Sequence, residues 1–309
     1  MDKSLVLGYT KLGPRIRRSW WPSDPRPGCL AGRHVLVTGA SGGLGLATAA
    51  GLTSLGATVH LLGRSAERLD AAQRSLREEV PSARVETAVC DVSDLDAVRE
   101  FCAAFASRVP QLQGLVHNAG VLPPERRTSA QGHELTLATH VLGPHLMTGL
   151  LAGAGTLTGG RVVVVTSGGA YSQKLEVDDP EYLEGDYSGV TAYARTKRMQ
   201  IVLAELWADR LRGRDIAVHS MHPGWADTPG VTDSLPGFAT VMGPLLRSAA
   251  EGADTITWLV ATDDQLGTGG FWHDRRRRAT HYAPLGLESA AQRGRFWELV
   301  VDATGESLG

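Results

Sequence analysis

The sequence predicts one α/β domain built on a doubly wound, parallel sheet of about seven strands, with helices on both faces. Three observations support this fold class. From His34 onward, short apolar runs rich in β-branched residues alternate with longer helical patterns, as in a parallel sheet with right-handed crossovers. A glycine-rich turn follows the first apolar run. No repeat, low-complexity linker or change in composition divides the 309 residues into two folding units.

The elements follow from these alternating runs. Strands are predicted at 34–39, 58–63, 83–90, 114–120, 161–167, 216–224 and 269–272. Helices are predicted between them at 44–55, 65–79, 94–108, 130–153, 192–212 and 249–261. Residues 1–31 form a separate N-terminal arm, and residues 32–309 form the domain, which includes the loop 227–247 and a C-terminal tail.

The first strand leads directly into the turn TGASGGLG (38–45) and then into a helix. Small residues at Gly39, Gly43 and Gly45 let the backbone approach a pyrophosphate, and the helix start near Leu44 offers free N–H groups and a positive dipole end. Ser41 adds a hydroxyl donor. A glycine triplet alone is a weak signal, but its place after the first strand favours dinucleotide binding over a plain tight turn.

The end of the second strand indicates which dinucleotide is preferred. A site for NAD carries a carboxylate there, which accepts a hydrogen bond from the ribose 2′-hydroxyl. This chain has Arg64 after Gly63, and Arg68 one turn later. Two guanidinium groups suit a 2′-phosphate, so we expect NADP(H) to be preferred, with NAD(H) also accepted. The alternative is that both arginines are solvated at the start of a helix.

The stretch GVTAYARTKRMQ places Tyr193 and Lys197 four residues apart at the start of a helix, on one face. Only four of the chain's 31 basic residues are lysines, and Arg195 and Arg198 flank this one. A position that keeps lysine among arginines indicates a need for a compact charge on a flexible stem. The spacing leaves two readings open, a proton-transfer pair and a chance pairing on the solvated face of a helix.

Taken together, the motifs resemble those of the short-chain dehydrogenase/reductase family over about residues 32–262, on the side of the retinol dehydrogenases and carbonyl reductases. The matching stretches, in order, are TGASGGLG (38–45), CDV ending at Val92, NAG (118–120), TS ending at Ser167, YARTK (193–197) and HPGWADT (222–228). The resemblance implies a Rossmann-type fold and an oxidoreductase that interconverts a carbonyl and an alcohol.

The resemblance also implies roles for the catalytic residues. Tyr193 would be the general acid–base, and Ser167 would bond the substrate oxygen. Lys197 would lower the pKa of the phenol, ordinarily near 10, and hold the nicotinamide ribose. The cofactor contacts implied are Asp91 and Val92 at the adenine, Asn118, Ala119 and Gly120 at the adenosine ribose, and Pro223, Gly224, Trp225 and Thr228 at the nicotinamide.

One position departs from the family pattern. Many members carry an asparagine three residues before a glycine in the helix after the fourth strand, where it shapes a bend and a water relay to the lysine. This chain has His140 in that position. Imidazole can donate and accept a proton, so His140 is a candidate relay residue, and a packed helix histidine without a role is the alternative. The departure leaves open a second reading of the whole chain, a weak or inactive NADP-binding sensor or scaffold.

The remaining composition narrows the class of partner and compartment. A net charge of -2 gives no indication of nucleic-acid binding. The cysteines are few and odd in number and show no metal-ligand spacing, so we expect a cytoplasmic protein without a metal site. The loop 227–247 is long, apolar and rich in Gly and Pro, which favours a substrate lid and an apolar small-molecule carbonyl or alcohol as substrate. The resemblance implies a homodimer or homotetramer.

Two basic segments lie outside these motifs. Residues 1–30 hold six Lys or Arg against two Asp, with Trp20, Trp21 and four prolines. They predict an irregular arm packed on the domain, and the alternative is a weak contact with a membrane surface or a partner. The run Arg275–Arg278 predicts a solvated segment, and the alternative is a contact with an anionic lipid or partner.

Overall fold

A computed structural model describes residues 9–226, 246–282 and 287–308, apart from the side chains of residues 12, 15 and 16. Within them, eight strands form one sheet in the order β3-β2-β1-β4-β5-β6-β7-β8. The strands are β1 (His34–Thr38), β2 (Thr58–Gly63), β3 (Arg84–Val89), β4 (Gly114–His117), β5 (Arg161–Val165), β6 (Ala217–Met221), β7 (Gly270–His273) and β8 (Arg276–Arg278). Strands β1 to β7 are parallel, and β8 pairs antiparallel with β7.

Helices connect the strands on both sides of the sheet. They are α1 (Leu12–Arg17), α2 (Gly43–Ser54), α3 (Ala66–Glu79), α4 (Leu95–Arg108), α5 (Leu135–Leu137), α6 (Gly143–Gly153), α7 (Gly189–Arg210), α8 (Ala249–Ala261) and α9 (Ala290–Thr304). A π-helical turn, Ala138–Leu142, joins α5 to α6. Among the described residues, Leu135–Gly153 is the one segment long and apolar enough to cross a membrane, and 89% of its apolar window is buried within the fold.

The core lies in two layers, one on each face of the sheet. Alternate residues of a strand point to opposite faces, so neighbouring residues of one strand enter different layers. Leu36 and Leu115 pack with Trp207 of α7 on one face, while Val35 and Val116 belong to the layer on the other. Both layers consist mainly of buried aliphatic and aromatic side chains, which confirms the predicted doubly wound sheet with helices on both faces.

The eighth strand was not expected. The sequence predicts a solvated arginine run at 275–278, but Arg276–Arg278 form an edge strand, and Arg275 is only 6% exposed. Arg275 donates to Asp24 and Asp254, at 2.6 Å each. A run of like charges does not indicate which acidic residues pair with it, and both partners of Arg275 lie outside the local sequence. The prediction of a fully solvated run is therefore wrong for Arg275, while Arg276 and Arg277 are exposed.

The N-terminal arm packs on the domain, as predicted, but its described part is not irregular. It contains α1 and a 3₁₀ turn at Arg18–Trp20. Tyr9 and Arg17 are buried, at 3% and 5% exposure. A contact between the arm and a membrane stays a prediction. The predicted substrate lid lies mostly at 227–245, outside the described residues, and so does Thr228.

Candidate active site

The candidate catalytic residues meet at the carboxyl end of β5. Ser167 follows this strand and caps the next 3₁₀ turn, its Oγ accepting from the N–H of Gly169 at 3.2 Å. Helix α7 begins opposite this turn, where Ser188 accepts from the N–H of Thr191. This start places Tyr193 in the second turn of the helix, and its phenol bonds to Ser167. The serine and tyrosine that the sequence singles out therefore lie together.

Lys197 lies one turn farther along α7 and is 3% exposed. Its Nζ donates to the carbonyl of Val165 at 2.9 Å and to Oε1 of Gln200 at 3.0 Å. The Nζ also lies 5.3 Å from the ring centroid of Tyr193. Because the ammonium is removed from water without a carboxylate partner among these contacts, burial lowers the pKa of Lys197 to about 7.

The phenol of Tyr193 differs from the sequence-based expectation. Burial raises its pKa to about 12, against a smaller opposite effect of the Ser167 hydrogen bond. The sequence predicts a lowered pKa, on the argument that an ammonium stands one helical turn away. In the structure that ammonium is directed at Val165 and Gln200, so the desolvation of the phenol dominates. Tyr193 is therefore protonated at neutral pH.

His140 lies in the π-helical turn, fully buried, with its ring edge-on to that of Tyr193. Its Nε2 accepts from the N–H of Val121 at 3.0 Å, and its Nδ1 lies 2.8 Å from Oγ1 of Thr196. Since Nε2 is an acceptor, the neutral ring carries its proton on Nδ1 and donates it to Thr196. Burial, and then the Lys197 ammonium, lower the pKa of His140 well below its ordinary value.

The connection between His140 and Lys197 runs through the backbone. The main-chain carbonyl of His140 accepts from Nε2 of Gln200 at 2.9 Å, and Oε1 of the same amide accepts from Lys197. The described hydrogen bonds of the imidazole itself go to Val121 and Thr196. A proton relay through the ring stays a prediction. Sequence reasoning missed Gln200, although its spacing of i, i+3 from Lys197 was available as a signal.

The glycine turn after β1 is built for close approach of backbone. A Cβ on Gly45 would lie 2.3 Å from the carbonyl oxygen of Gly39, so no side chain fits there. Gly39 and Gly43 have φ angles of 65° and 54°, which favour glycine. Helix α2 begins at Gly43, next to the predicted Leu44. The free N–H groups at this helix start and the bare turn fit the pyrophosphate of a dinucleotide.

Asn118 braces the same turn. Its Nδ2 donates to the carbonyls of Thr38 and Gly39, at 3.0 and 3.2 Å. The hydroxyl of Thr38 accepts from the N–H groups of Asn118 and Ala119, at 3.0 Å each. These bonds tie the ends of β1 and β4 together. Sequence reasoning missed Thr38, which opens the glycine motif but has no charge or unusual backbone to mark it.

The two predicted arginines lie at the carboxyl end of β2. Arg64 is largely exposed, with its Nη1 3.7 Å from Oδ2 of Asp91. Nη2 of Arg68 lies 3.9 Å from the position that a Cβ of Gly42 would take, so this guanidinium reaches the glycine turn. Asp91 is held by the N–H and hydroxyl of Ser93, at 2.9 and 2.7 Å. The donors beside the turn thus fit an anionic group.

Other predicted cofactor residues border this cleft. Val92 is buried after β3, and a Cβ on Gly120 would lie 3.0 Å from Nε2 of His140. On the far side, Pro223 and Leu44 both border Gly252. A Cβ on that glycine would lie 3.5 Å from Cβ of Pro223 and 2.6 Å from Cδ2 of Leu44. The cleft thus runs from the end of β3 to the end of β6.

The segment after β6 is covered by the arm. Gly224 has a φ of 79°, and a Cβ there would lie 2.6 Å from Nε of Arg247 and 2.8 Å from the carbonyl oxygen of Tyr9. The N–H of Trp225 donates to that same carbonyl at 2.8 Å. Sequence reasoning missed Tyr9 at this site, because nothing in the arm marks a residue that returns to the sheet edge.

Comparison with known proteins agrees with this geometry. Residues 33–236 match the family model for short chain dehydrogenases. The chain is 36% identical to dehydrogenase/reductase SDR family member 12 of Bos taurus, over 92% of this chain and 89% of the relative. It is 31% identical to mouse (Mus musculus) retinol dehydrogenase 14, over 84% and 81%. A solved short chain dehydrogenase from Burkholderia cenocepacia J2315, in complex with NADP, is 26% identical, with a TM-score of 0.63 over 78% of this chain and 96% of its own.

Proposed function

Because the chain belongs to the short-chain dehydrogenase/reductase family, oxidoreductases that act on CH–OH and carbonyl groups, we propose that it interconverts a carbonyl and an alcohol on an apolar small molecule with NADP(H). Tyr193 is the acid–base in this proposal. The observation that carries it is the hydrogen bond between Ser167 and Tyr193, with Lys197 buried one helical turn away. This is the geometry of a group that holds an oxygen and protonates it.

When bound, the nicotinamide supplies or accepts the hydride. The part of this chain is to hold the carbonyl oxygen and to move a proton. The Tyr193 phenol keeps its proton at neutral pH because burial raises its pKa, so it acts as the proton donor in the reductive direction. The Ser167 hydroxyl already bonds the phenol and bonds the substrate oxygen beside it.

Lys197 has a second part in this proposal. With its pKa lowered to about 7, its amine exchanges protons readily near neutral pH. The bonds to Val165 and Gln200 fix the amine beside the tyrosine ring. Lys197 therefore sets the electrostatic environment of the phenol. As in other members of the family, it also binds the nicotinamide ribose.

The preference for NADP(H) rests on Arg64 and Arg68. Arg64 directly follows β2, and Arg68 lies in the first turn of α3. Nη1 of the exposed Arg64 side chain lies 3.7 Å from Oδ2 of Asp91. A 2′-phosphate offers these guanidiniums a doubly charged acceptor, whereas the 2′-hydroxyl of NAD is an uncharged one. The NADP found in the Burkholderia cenocepacia structure supports the same direction. NAD(H) remains the weaker ligand in this proposal.

The apolar character of the substrate is proposed from residues around the catalytic serine. Leu175 is buried at 4% exposure, and the ring of Tyr171 follows Ser167 in the same 3₁₀ turn. Trp225, after β6, packs against Tyr9 of the arm, with ring centroids 5.6 Å apart. Ligand pockets are mostly apolar with a few placed polar groups, and here Ser167 and Tyr193 supply the polar groups.

Turnover tests this function. The purified full chain is mixed with NADPH and a panel of aldehydes and ketones, and the loss of NADPH absorbance is followed. We expect steady consumption with at least one apolar aldehyde, together with formation of the matching alcohol. Saturable NADPH binding without consumption on any member of the panel would favour the sensor or scaffold and contradict the enzyme.

A further inference from the structure

A cleft of about 330 Å³ lies between the N-terminal arm, the 3₁₀ turn after Ser167 and the chain that follows β8. Six of its ten described lining residues carry aromatic rings, and the others are three arginines and one alanine. The rings belong to Tyr9, Tyr171, His222, His273, His281 and Tyr282. Since a cavity of about 150 Å³ holds one benzene ring, this cleft has room for about two.

Tyr9 forms the wall on the side of the arm. It is 3% exposed, and its ring stacks on that of His222, with centroids 4.9 Å apart. Its carbonyl accepts from the N–H of Trp225 at 2.8 Å and from Nε of Arg247 at 3.1 Å. These bonds fix the Tyr9 backbone against the chain after β6, so its ring is a fixed part of the wall.

Tyr171 and Tyr282 continue this wall. Their rings stack with centroids 3.9 Å apart and planes inclined by 20°. The phenol of Tyr282 bonds that of Tyr9 at 2.9 Å, which joins the arm to the stacked pair. Tyr282 is 45% exposed, so its ring lies at the mouth of the cleft, where a bound ligand would cover it.

The cleft adjoins the catalytic residues. Tyr171 belongs to the 3₁₀ turn that Ser167 caps. Gly168, directly after Ser167, leaves space for the arm, because a Cβ there would collide with the ring of Tyr9. A ligand in the cleft therefore lies beside a carbonyl held at Ser167.

The buried rings present uncharged surfaces. Burial raises the pKa of Tyr9 and of Tyr171, and it lowers the pKa of His222 well below its ordinary value, so all three are neutral near pH 7. Aromatic rings pack favourably on one another in offset or edge-to-face arrangements, because ring faces are negative and ring edges positive. Arginines in the lining are compatible with such a ligand, since a guanidinium packs on the face of an aromatic ring.

We propose that the N-terminal arm completes the substrate site and that the cleft selects a carbonyl substrate with a planar aromatic body, held against Tyr9, Tyr171 and Tyr282. The inference rests on the proposed function and deepens it, because it names the chemical class of the apolar body. The volume of the cleft limits this body to about two rings. Tyr9 and Tyr282 contact the body rather than the reacting carbonyl, so they determine specificity.

A pair of aldehydes tests the inference. Naphthylpropanal and its decahydronaphthyl counterpart share a two-carbon spacer, which separates the aldehyde electronically from the rings. Both are offered to the full chain with NADPH in one reaction, and the ratio of the two alcohols formed gives the ratio of kcat/KM, whatever fraction of the enzyme is active. Burial of apolar area alone does not favour the flat body, whereas aromatic walls do. We expect the wild type to prefer the naphthyl aldehyde by roughly threefold to tenfold, the range for one aromatic pair.

Substitutions in the wall locate the source of this preference. Tyr282→Leu removes an exposed ring and leaves the core intact, and we expect the two aldehydes then to react at similar rates. Tyr9→Leu also lowers the preference, whereas Tyr9→Phe, which keeps the ring, retains it. Trp20→Leu is the matched control and keeps the ratio of the wild type, because Trp20 is an aromatic residue of the arm, 59% exposed and not among the described lining residues.

Two results would overturn the aromatic cleft and leave the proposed function standing. One is turnover by the wild type without a preference for the naphthyl aldehyde. The other is a naphthyl preference that survives both Tyr282→Leu and Tyr9→Leu. Absence of turnover with both aldehydes, and with simple aldehydes, would overturn the proposed function and this substrate class together.

Discussion

The ammonium of Lys197 donates a hydrogen bond to the side-chain oxygen of Gln200 at 3.0 Å. The nitrogen of the same amide donates to the carbonyl of His140 at 2.9 Å, so Gln200 links the lysine to the π-helical turn. All three residues are buried. An amide holds a proton donor in place but does not itself gain and lose protons near neutral pH. Gln200 is thus a positioning residue for Lys197.

Gln200→Leu removes this acceptor and leaves Lys197 with the Val165 carbonyl. The buried ammonium then becomes less stable than the neutral amine, so we expect the pKa of Lys197 to fall below its present value of about 7. Gln200→Glu adds a carboxylate and moves the pKa upward. The pH profile of kcat/KM measures both shifts, with Gln111→Leu, at an exposed position, as the control. If the pH profiles of both variants coincided with that of the wild type, Gln200 would have no influence on the pKa of Lys197, which contradicts its positioning role.

The cofactor preference is expected to depend on Arg64 and Arg68. An added contact between charged donors and the 2′-phosphate contributes about 1.5–3 kcal/mol, roughly one to two decades in affinity. Titration calorimetry with NADPH and NADH measures the difference. We expect Arg68→Gln to reduce the difference in affinity between NADPH and NADH. Arg74→Gln, at an exposed position of the same helix α3, is the control and leaves that difference unchanged. Equal affinities of the wild type for NADPH and NADH would contradict the predicted preference.

An apolar substrate body predicts a dependence on chain length. Burial of a six-carbon chain contributes on the order of 5 kcal/mol, at about 0.8 per methylene. We therefore expect kcat/KM to rise along a series of straight-chain aldehydes until the pocket is full, and then to level off. A flat series, or a preference for small keto acids over long aldehydes, would contradict the apolar body.

Buried histidines predict acid sensitivity of the fold. Burial lowers the pKa of His117 to about 3 and those of His145 and His219 to about 4, against an ordinary value of 6.5. Above pH 6.5 these rings are neutral in both states. As the pH falls from 6.5 toward 4, the unfolded chain binds protons that the folded chain does not, and each histidine costs about 1.4 kcal/mol per pH unit.

The free energy of unfolding measured in urea from pH 7.5 to 5 tests this direction. We expect a steep loss of stability below pH 6.5, and His117→Gln reduces the slope by about one proton, because glutamine keeps a polar partner for Thr148 without titrating. A free energy of unfolding that stays level down to pH 5 would show that these rings titrate in the folded state.

The sheet was predictable from sequence because its signals are local. β-Branched runs, the glycine turn at Gly39 and the spacing of Tyr193 and Lys197 can each be read within a few residues. Strand β8 and the contacts that hold the arm on the domain were not, since the partners of Arg275 and Tyr9 are set by tertiary contacts across more than two hundred residues, as in the pair Arg275–Asp24. The raised pKa of Tyr193 also depends on burial, which its local sequence does not show.

The central claim is that Tyr193 transfers the proton. Tyr193→Phe removes the phenol hydroxyl and little volume, so we expect NADPH binding close to that of the wild type and no detectable turnover of the best aldehyde. Lys197→Ala, for comparison, weakens both, because the lysine serves the tyrosine and the ribose. The decisive measurement is kcat of Tyr193→Phe at saturating NADPH and aldehyde, alongside the calorimetric affinity for NADPH. Loss of turnover with binding intact is the predicted result, and a variant that keeps most of its kcat would contradict the account.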